Sequence, residues 1–194
     1  MNNDDIKGIR ELLSSSQRTA IIPHRSPDGD AMGSTLALYH FLLKMGHQPF
    51  VMAPNEFPDF LAWLPGSEKV LVYEKNKEAG AAKLRDAQII FTLDFNALHR
   101  TGEMEQVLST LTAPFIMIDH HQAPDNYARF MYSDTAFGST CEMLYGFMKA
   151  LSPETTIDKT IASCIYTGIV TDSGSFRFPS TTSATHRIVA DLIE

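Results

Sequence analysis

Pro114-Phe115-Ile116-Met117-Ile118-Asp119-His120-His121 sets an apolar run directly against one acid and two imidazoles. A short apolar run that stops abruptly on ligand chemistry reads as a buried strand whose C-terminal tip faces a site, the position where open α/β sheets bind ligands. Other stretches end the same way: His24-Arg25-Ser26-Pro27-Asp28-Gly29-Asp30 after 20–23, Asp94 after 89–93 and Asp172 after 169–171. Taken singly, an Asp after a strand is an ordinary helix cap, Asp28-Gly29-Asp30 a plain turn and His120-His121 a packed polar pair. Four segments that each deliver carboxylate or imidazole would each need a separate structural excuse. Together they point to a site for hard divalent cations.

Outward from that stretch the chain alternates strand and helix. Strands are expected over 19–23, 48–52, 70–73, 87–93, 114–118 and 130–132, with 87–93 buried on both faces. Between them, Met32, Leu36, Tyr39 and Leu43 fall on one face of a helix over 31–45 that Gly46 ends. Further helices are expected over 6–13, over 75–85 as a solvated helix, after Gly102, from Ser139-Thr140 onward and over 156–166. A last one follows Ser180-Thr181-Thr182, and residues 57–64 read as short helical or irregular chain. Parallel strands need helical crossovers, so the expected fold class is α/β, a mostly parallel β-sheet flanked by helices on both faces, Rossmann-like.

Composition narrows the function. The 194 residues are 44% hydrophobic, enough for one ordinary core, and the net charge is −7. That balance argues against a grip on long duplex nucleic acid through a basic surface, while small anionic substrates remain open if metals neutralise the site. Cys141 and Cys164 lie inside apolar helical patterns and read as small buried hydrophobes, which suits a reducing, cytoplasmic compartment. No apolar run approaches the roughly 18 residues that span a bilayer, so no membrane association is expected. His40, His47 and His186 read as solvated, and His99 stays open because of its nearness to Asp94 and Arg100.

In His24-x3-Asp28-x-Asp30, Pro27 and Gly29 fold the residues into a tight loop whose side chains reach two adjacent positions, which favours two metals over one. Imidazole and carboxylate without thiolate suit Mn²⁺, Mg²⁺ or Fe²⁺ better than structural zinc. Ions in two-metal sites stand roughly 3.5–4 Å apart, so one carboxylate can bridge them, and Asp94 is the best candidate. Water held between two such ions would be a nucleophile at neutral pH.

These residues carry a resemblance. His24-x-x-Pro27-Asp28-Gly29-Asp30-Ala31-Met32-Gly33-Ser34, then Asp94, then Asp119-His120-His121, then Gly168-Ile169-x-Thr171-Asp172-Ser173-Gly174 resemble the four ordered motifs of the DHH phosphoesterase superfamily. Asp94-x-Asn96-x3-Arg100-x-Gly102 and Thr171-Asp172-Ser173-Gly174-Ser175-Phe176-Arg177 are most similar to its nano-RNase branch, soluble oligoribonucleases that also dephosphorylate 3′-phosphoadenosine 5′-phosphate. The resemblance implies a Mn²⁺-dependent phosphoesterase with a two-metal hydroxide mechanism, acting on short single-stranded RNA and nucleoside bisphosphates. It implies that His24, Asp28 and Asp94 hold one ion and Asp30, Asp94, His120 and Asp172 the other. Asp119 would then orient His120, His121 would face the scissile phosphate and Arg100 would contact it. Ser139 and Thr140 would either offer N–H groups to an anion or simply cap their helix.

Relatives in that branch resemble a two-domain protein, and residues 1–194 correspond to the DHH catalytic domain without the C-terminal substrate-binding, DHHA1-type domain. The expectation is of a chain that stops within the linking helix, with an apolar face at Ile188, Val189 and Leu192 that invites self-association and a possible homodimer. Alternative functions are a pyrophosphatase or exopolyphosphatase, a phosphodiesterase of cyclic-dinucleotide pathways, and a metal-binding regulatory module that turns nothing over.

Overall fold

Every residue of Ile89-Ile90-Phe91-Thr92-Leu93 is buried, so this strand needs cover on both faces and a hydrogen-bonded neighbour on each side. A computed structural model describing residues 1–194 supplies both. The chain runs α1 (Asn3–Leu12), β1 (Arg18–Ile22), α2 (Gly29–Lys44), β2 (Gln48–Ala53), β3 (Leu71–Val72), α3 (Lys77–Arg85), β4 (Ile89–Leu93), α4 (Glu105–Leu108), β5 (Phe115–Asp119), β6 (Phe130–Ser133), α5 (Thr140–Leu151), α6 (Lys159–Asp172) and α7 (Ser183–Ile193). The sheet order is β3-β2-β1-β4-β5-β6, and every pairing is parallel.

Strand alternation splits the core into two layers. Ile21, Ile89, Phe91, Leu93, Ile116 and Ile118 face one layer with α1, α2, α5, α6 and α7, whereas Ala20, Ile22, Ile90 and Phe115 face the other with α3 and α4. Because all the strands are parallel, their C-terminal ends share one edge of the sheet. The order reverses between β1 and β4, and a crevice opens at such a switch point.

Several expectations need correction. The segment 169–171 is the last turn of α6 and not a strand, so Asp172 arrives on a helix end. Asp158 caps this helix by accepting from the N–H groups of Thr160 and Ile161, and Ile161, Cys164, Ile165, Gly168 and Ile169 bury one helical face. That burial outweighs the strand propensity of Ile169-Val170-Thr171, since β propensity mostly reports packing. The helix over 75–85 is not solvated all round, because Gly80, Ala81 and Leu84 are buried. His47 is buried as well, its Nδ1 accepting from the Gln17 N–H, and His40 is half-buried with Nε2 against the Pro65 carbonyl. On α7, Val189 is buried and Ile188 and Leu192 pack against the larger core layer, so the face expected to drive self-association is already partnered within the chain.

Candidate metal centre

At the switch point, Asp28 divides its two oxygens between folding and the cluster. Asp28 is the N-cap of α2, where Oδ1 accepts from the N–H groups of Asp30 and Ala31, each at 3.1 Å. Its Oδ2 faces His24 Nε2 at 3.8 Å. The His24 ring is held from behind, with Nδ1 2.8 Å from the Arg25 carbonyl, which leaves Nε2 3.6 Å from Asp94 Oδ2. Asp28 therefore caps α2 with one oxygen and turns the other toward His24.

Asp30 is fully buried in α2. Its Oδ2 accepts from Thr140 N–H at 2.6 Å and its Oδ1 from Cys141 N–H at 2.9 Å. The anion that the start of α5 serves is thus a side chain of the same protein, and helix N-termini favour negative charge. Ser139 does cap α5, accepting from Glu142 N–H.

Asp94 is 2% exposed and adopts a left-handed φ of 65°, a conformation Asp tolerates and one that concentrates at functional sites. This turn aims Oδ2 at His24 and Oδ1 at His120 Nε2, 3.5 Å away. Thr140 steadies it by donating its hydroxyl to Oδ1 at 2.9 Å. His120 Nε2 also lies 3.2 Å from Asp172 Oδ2. Three overlapping groups of donor atoms result: His24, Asp28 and Asp94; Asp30, His120 and Asp172; and Asp94, His120 and His121.

The pairing expected for Asp119 is corrected. Its Oδ1 lies 2.7 Å from His121 Nδ1 and its Oδ2 accepts from His121 N–H, so it orients His121 and not His120. The reason is reach: the fully buried Asp119 side chain meets the residue two places on, whereas His120 Nδ1 turns toward the Phe137 carbonyl at 3.4 Å. Arg100 is exposed and forms no ion pair with the cluster; its carbonyl accepts from Arg25 N–H, which ties the loop after β4 to the loop after β1. His99 is exposed and stands outside the cluster. Sequence reasoning missed the Thr140 hydroxyl and the buried Asn96, whose Nδ2 donates to the carbonyls of His121 and Gln122, each at 3.0 Å. Its place two residues beyond Asp94 was the available signal.

The electrostatics are those of crowded anions. Burial, with the charges of Asp94 and Asp172, pushes the Asp30 carboxyl well above its usual range. Burial opposes ionisation of Asp94 too, but His120 and His24 overcome it and hold Asp94 low. Burial likewise disfavours a charged His120, yet Asp172 and Asp94 raise it to about 11. No Lys or Arg pairs with Asp28, Asp30, Asp94, Asp119 or Asp172; the cations in reach are imidazoles alone. Leaving buried carboxylates without a cation costs several kcal/mol, roughly, per ion. Oxygen and imidazole donors without thiolate, surrounding one shared carboxylate, fit hard divalent cations.

The chain is similar to several known proteins. Over 174 residues the chain is 32% identical to the bifunctional oligoribonuclease and PAP phosphatase NrnA of Thermus thermophilus, covering 89% of this chain and 48% of that protein. It is 24% identical to a probable manganese-dependent inorganic pyrophosphatase of Lactococcus lactis, over 92% of this chain and 56% of the relative. The crystal structure of an exopolyphosphatase-related protein from Bacteroides fragilis superposes with a TM-score of 0.96 at 36% identity, over 99% of this chain and 56% of that one. The chain thus spans about half the length of the proteins it matches. Residues 18–169, which run from the first residue of β1 into the last turn of α6, match the profile of the DHH family, N-terminal domain, and the chain belongs to that family.

Proposed function

We propose that this domain is the catalytic centre of a Mn²⁺-dependent phosphoesterase that acts on short oligoribonucleotides and on 3′-phosphoadenosine 5′-phosphate. The observation that carries the reading is the division of Asp94, one oxygen toward His24 and Asp28 and the other toward His120. In this reading His24, Asp28 and Asp94 hold one cation, and Asp30, Asp94, His120 and Asp172 the second. Divalent cations so held supply Lewis-acid polarisation of a phosphoryl oxygen and water activated near neutral pH.

The chain's own groups supply the rest. Thr140 and the start of α5 fix Asp94 and Asp30, so the donors are set before a substrate arrives. Asp119 holds His121 by Nδ1 and main chain, leaving Nε2 on a ring 38% exposed to meet a phosphate oxygen. Asn96 pins the turn that carries this ring. Arg100 is proposed as a further phosphate contact at the rim, where its planar fork can pair two oxygens.

The substrate class rests on the similarity to the oligoribonuclease and PAP phosphatase, and on a net charge of −7 that disfavours long nucleic acid. The two buried free thiols, Cys141 and Cys164, suit a reducing compartment, and no helix is long and apolar enough to cross a membrane. Pyrophosphate hydrolysis is the second reading, favoured by the Lactococcus relative and by a donor set that does not itself select among phosphoesters. A panel of dinucleotide RNA, 3′-phosphoadenosine 5′-phosphate, pyrophosphate and linear dinucleotides derived from cyclic ones, each assayed with Mn²⁺, separates them. Preferred turnover of the first two is expected; preference for pyrophosphate would replace the reading. The 194 residues alone are expected to bind Mn²⁺ and cleave weakly or not at all without a substrate-binding domain; no turnover by a chain that carries such a domain, with Mn²⁺ bound, would favour a regulatory module.

A further inference from the structure

Glu142 is a carboxylate outside the donor cluster with no cationic partner. It lies in the first turn of α5, is 4% exposed, and burial raises its pKa. Its Oε2 accepts from the Gly138 N–H at 3.4 Å, and both oxygens accept from the Thr185 hydroxyl, at 3.2 and 3.3 Å. The Gly138 N–H and the Phe137 carbonyl are the two ends of one peptide unit. That carbonyl is the group 3.4 Å from His120 Nδ1. A buried carboxylate and the imidazole that borders Asp94 and Asp172 therefore grip opposite ends of a single peptide.

We propose that Glu142 is a positioning residue for His120: through the Phe137–Gly138 peptide it keeps the Nδ1 proton on the Phe137 carbonyl and leaves Nε2 aimed at Asp94 and Asp172. The metal half of this inference rests on the reading of His120 as a ligand. Ligating imidazoles usually hand their other ring N–H to a carboxylate or carbonyl, and loss of such a partner weakens metal affinity. Here the carbonyl accepts the hydrogen bond from Nδ1–H and the carboxylate stands behind it. A peptide whose N–H is drawn to a carboxylate is a better acceptor at its C=O, because linked hydrogen bonds polarise one another.

Helix capping alone does not account for the residue. In a capping box the third helical residue returns to the N–H of the cap itself. Ser139 caps α5 by accepting from Glu142 N–H, yet the Glu142 side chain goes to Gly138, one residue earlier. It is also buried, where a carboxylate is costly and an exposed one would cap equally well. The far side is secured by Thr185, which accepts from Thr182 N–H in the capping box of α7. The network thus links the start of α7 to the ring of His120.

Glu142→Gln keeps the shape and an acceptor oxygen but removes the charge, and Thr185→Val removes the hydroxyl bond to Glu142 together with the Thr182 contact in the capping box of α7, whose cost Tm reads. In the 194-residue chain, Mn²⁺ affinity by calorimetry, solvent exchange of the His120 Nδ1 proton by NMR in the metal-free state, and Tm are measured, with His120→Ala as reference. Glu142→Gln is expected to weaken Mn²⁺ binding about tenfold and to speed exchange of the Nδ1 proton, with Thr185→Val changing both less and in the same direction. A Glu142→Gln chain that shifts Tm but neither affinity nor exchange would show a structural cap and overturn the proposal. If His120→Ala itself leaves Mn²⁺ binding intact, the ligand reading falls, and the exchange rates still decide the positioning.

Discussion

Gly168→Ala tests the packing that brings α2, α5 and α6 together around Asp30. A Cβ on Gly168 would stand 2.2 Å from Cys141 Sγ, 2.6 Å from Asp30 Oδ1 and 3.0 Å from Cys141 Cβ, distances at which something must move. Replacing glycine by alanine inside a helix is worth about 1 kcal/mol by itself. Overpacking a full core costs about 1–3 kcal/mol. Cys141 and Asp30 are completely buried and Asp30 is held by two main-chain amides, so the upper end applies. The net is a loss of about 2 kcal/mol, or about 30-fold in the folding equilibrium.

Urea unfolding reads this directly, and Gly168→Ala with Cys141→Ala should recover part of the stability because the nearest clash is the sulfur. Mn²⁺ affinity should stay reduced in the double variant, since Asp30 Oδ1 is still displaced. Gly146→Ala is the control: it lies exposed in the middle of α5 with nothing within 4 Å, and should stabilise by about 0.5–1 kcal/mol. A Gly168→Ala chain with parental stability and parental Mn²⁺ affinity would refute the argument that glycine is required for this close approach.

Asp94→Asn should abolish metal-dependent hydrolysis and lower Mn²⁺ occupancy while Tm stays near parental, since volume and the Thr140 hydrogen bond can persist; full occupancy and rate would contradict a shared carboxylate. His120→Ala should lose metal, whereas His121→Ala should keep it and lose kcat, as metal analysis beside kinetics will show; equal metal loss in both would end that division of roles. The metal-free fold holds His120 up to about 11, above its ordinary 6.5, so the imidazole is protonated at neutral pH and must shed that proton to bind a cation. Mn²⁺ affinity should therefore fall as pH falls, by about tenfold per pH unit for one proton released, and calorimetry between about pH 6 and about pH 8 showing no dependence would contradict it.

The parallel α/β architecture was legible because strands buried on both faces show as unbroken apolar runs, as 89–93 and 114–118 do, and because helices of period 3.6 separate them. The cluster was legible for a related reason. His24, Asp94, His120 and His121 follow directly on strands whose ends share one edge of the sheet, so chain order alone predicts their proximity. Asp172 was found as a residue but placed on the wrong element, since Ile169-Val170-Thr171 suits a strand locally and only packing of α6 against α2 makes it helix.

What remained out of reach depends on contacts distant in sequence or on backbone rotation. The amides of Thr140 and Cys141 meet Asp30 across 110 and 111 residues, a pairing created by the close approach of α2 and α5. The left-handed turn at Asp94, which decides where each oxygen points, leaves no mark in residue type. Asp119 chose His121 over its immediate neighbour His120 because a buried strand end fixes the direction of its side chain, and direction is a property of the folded backbone.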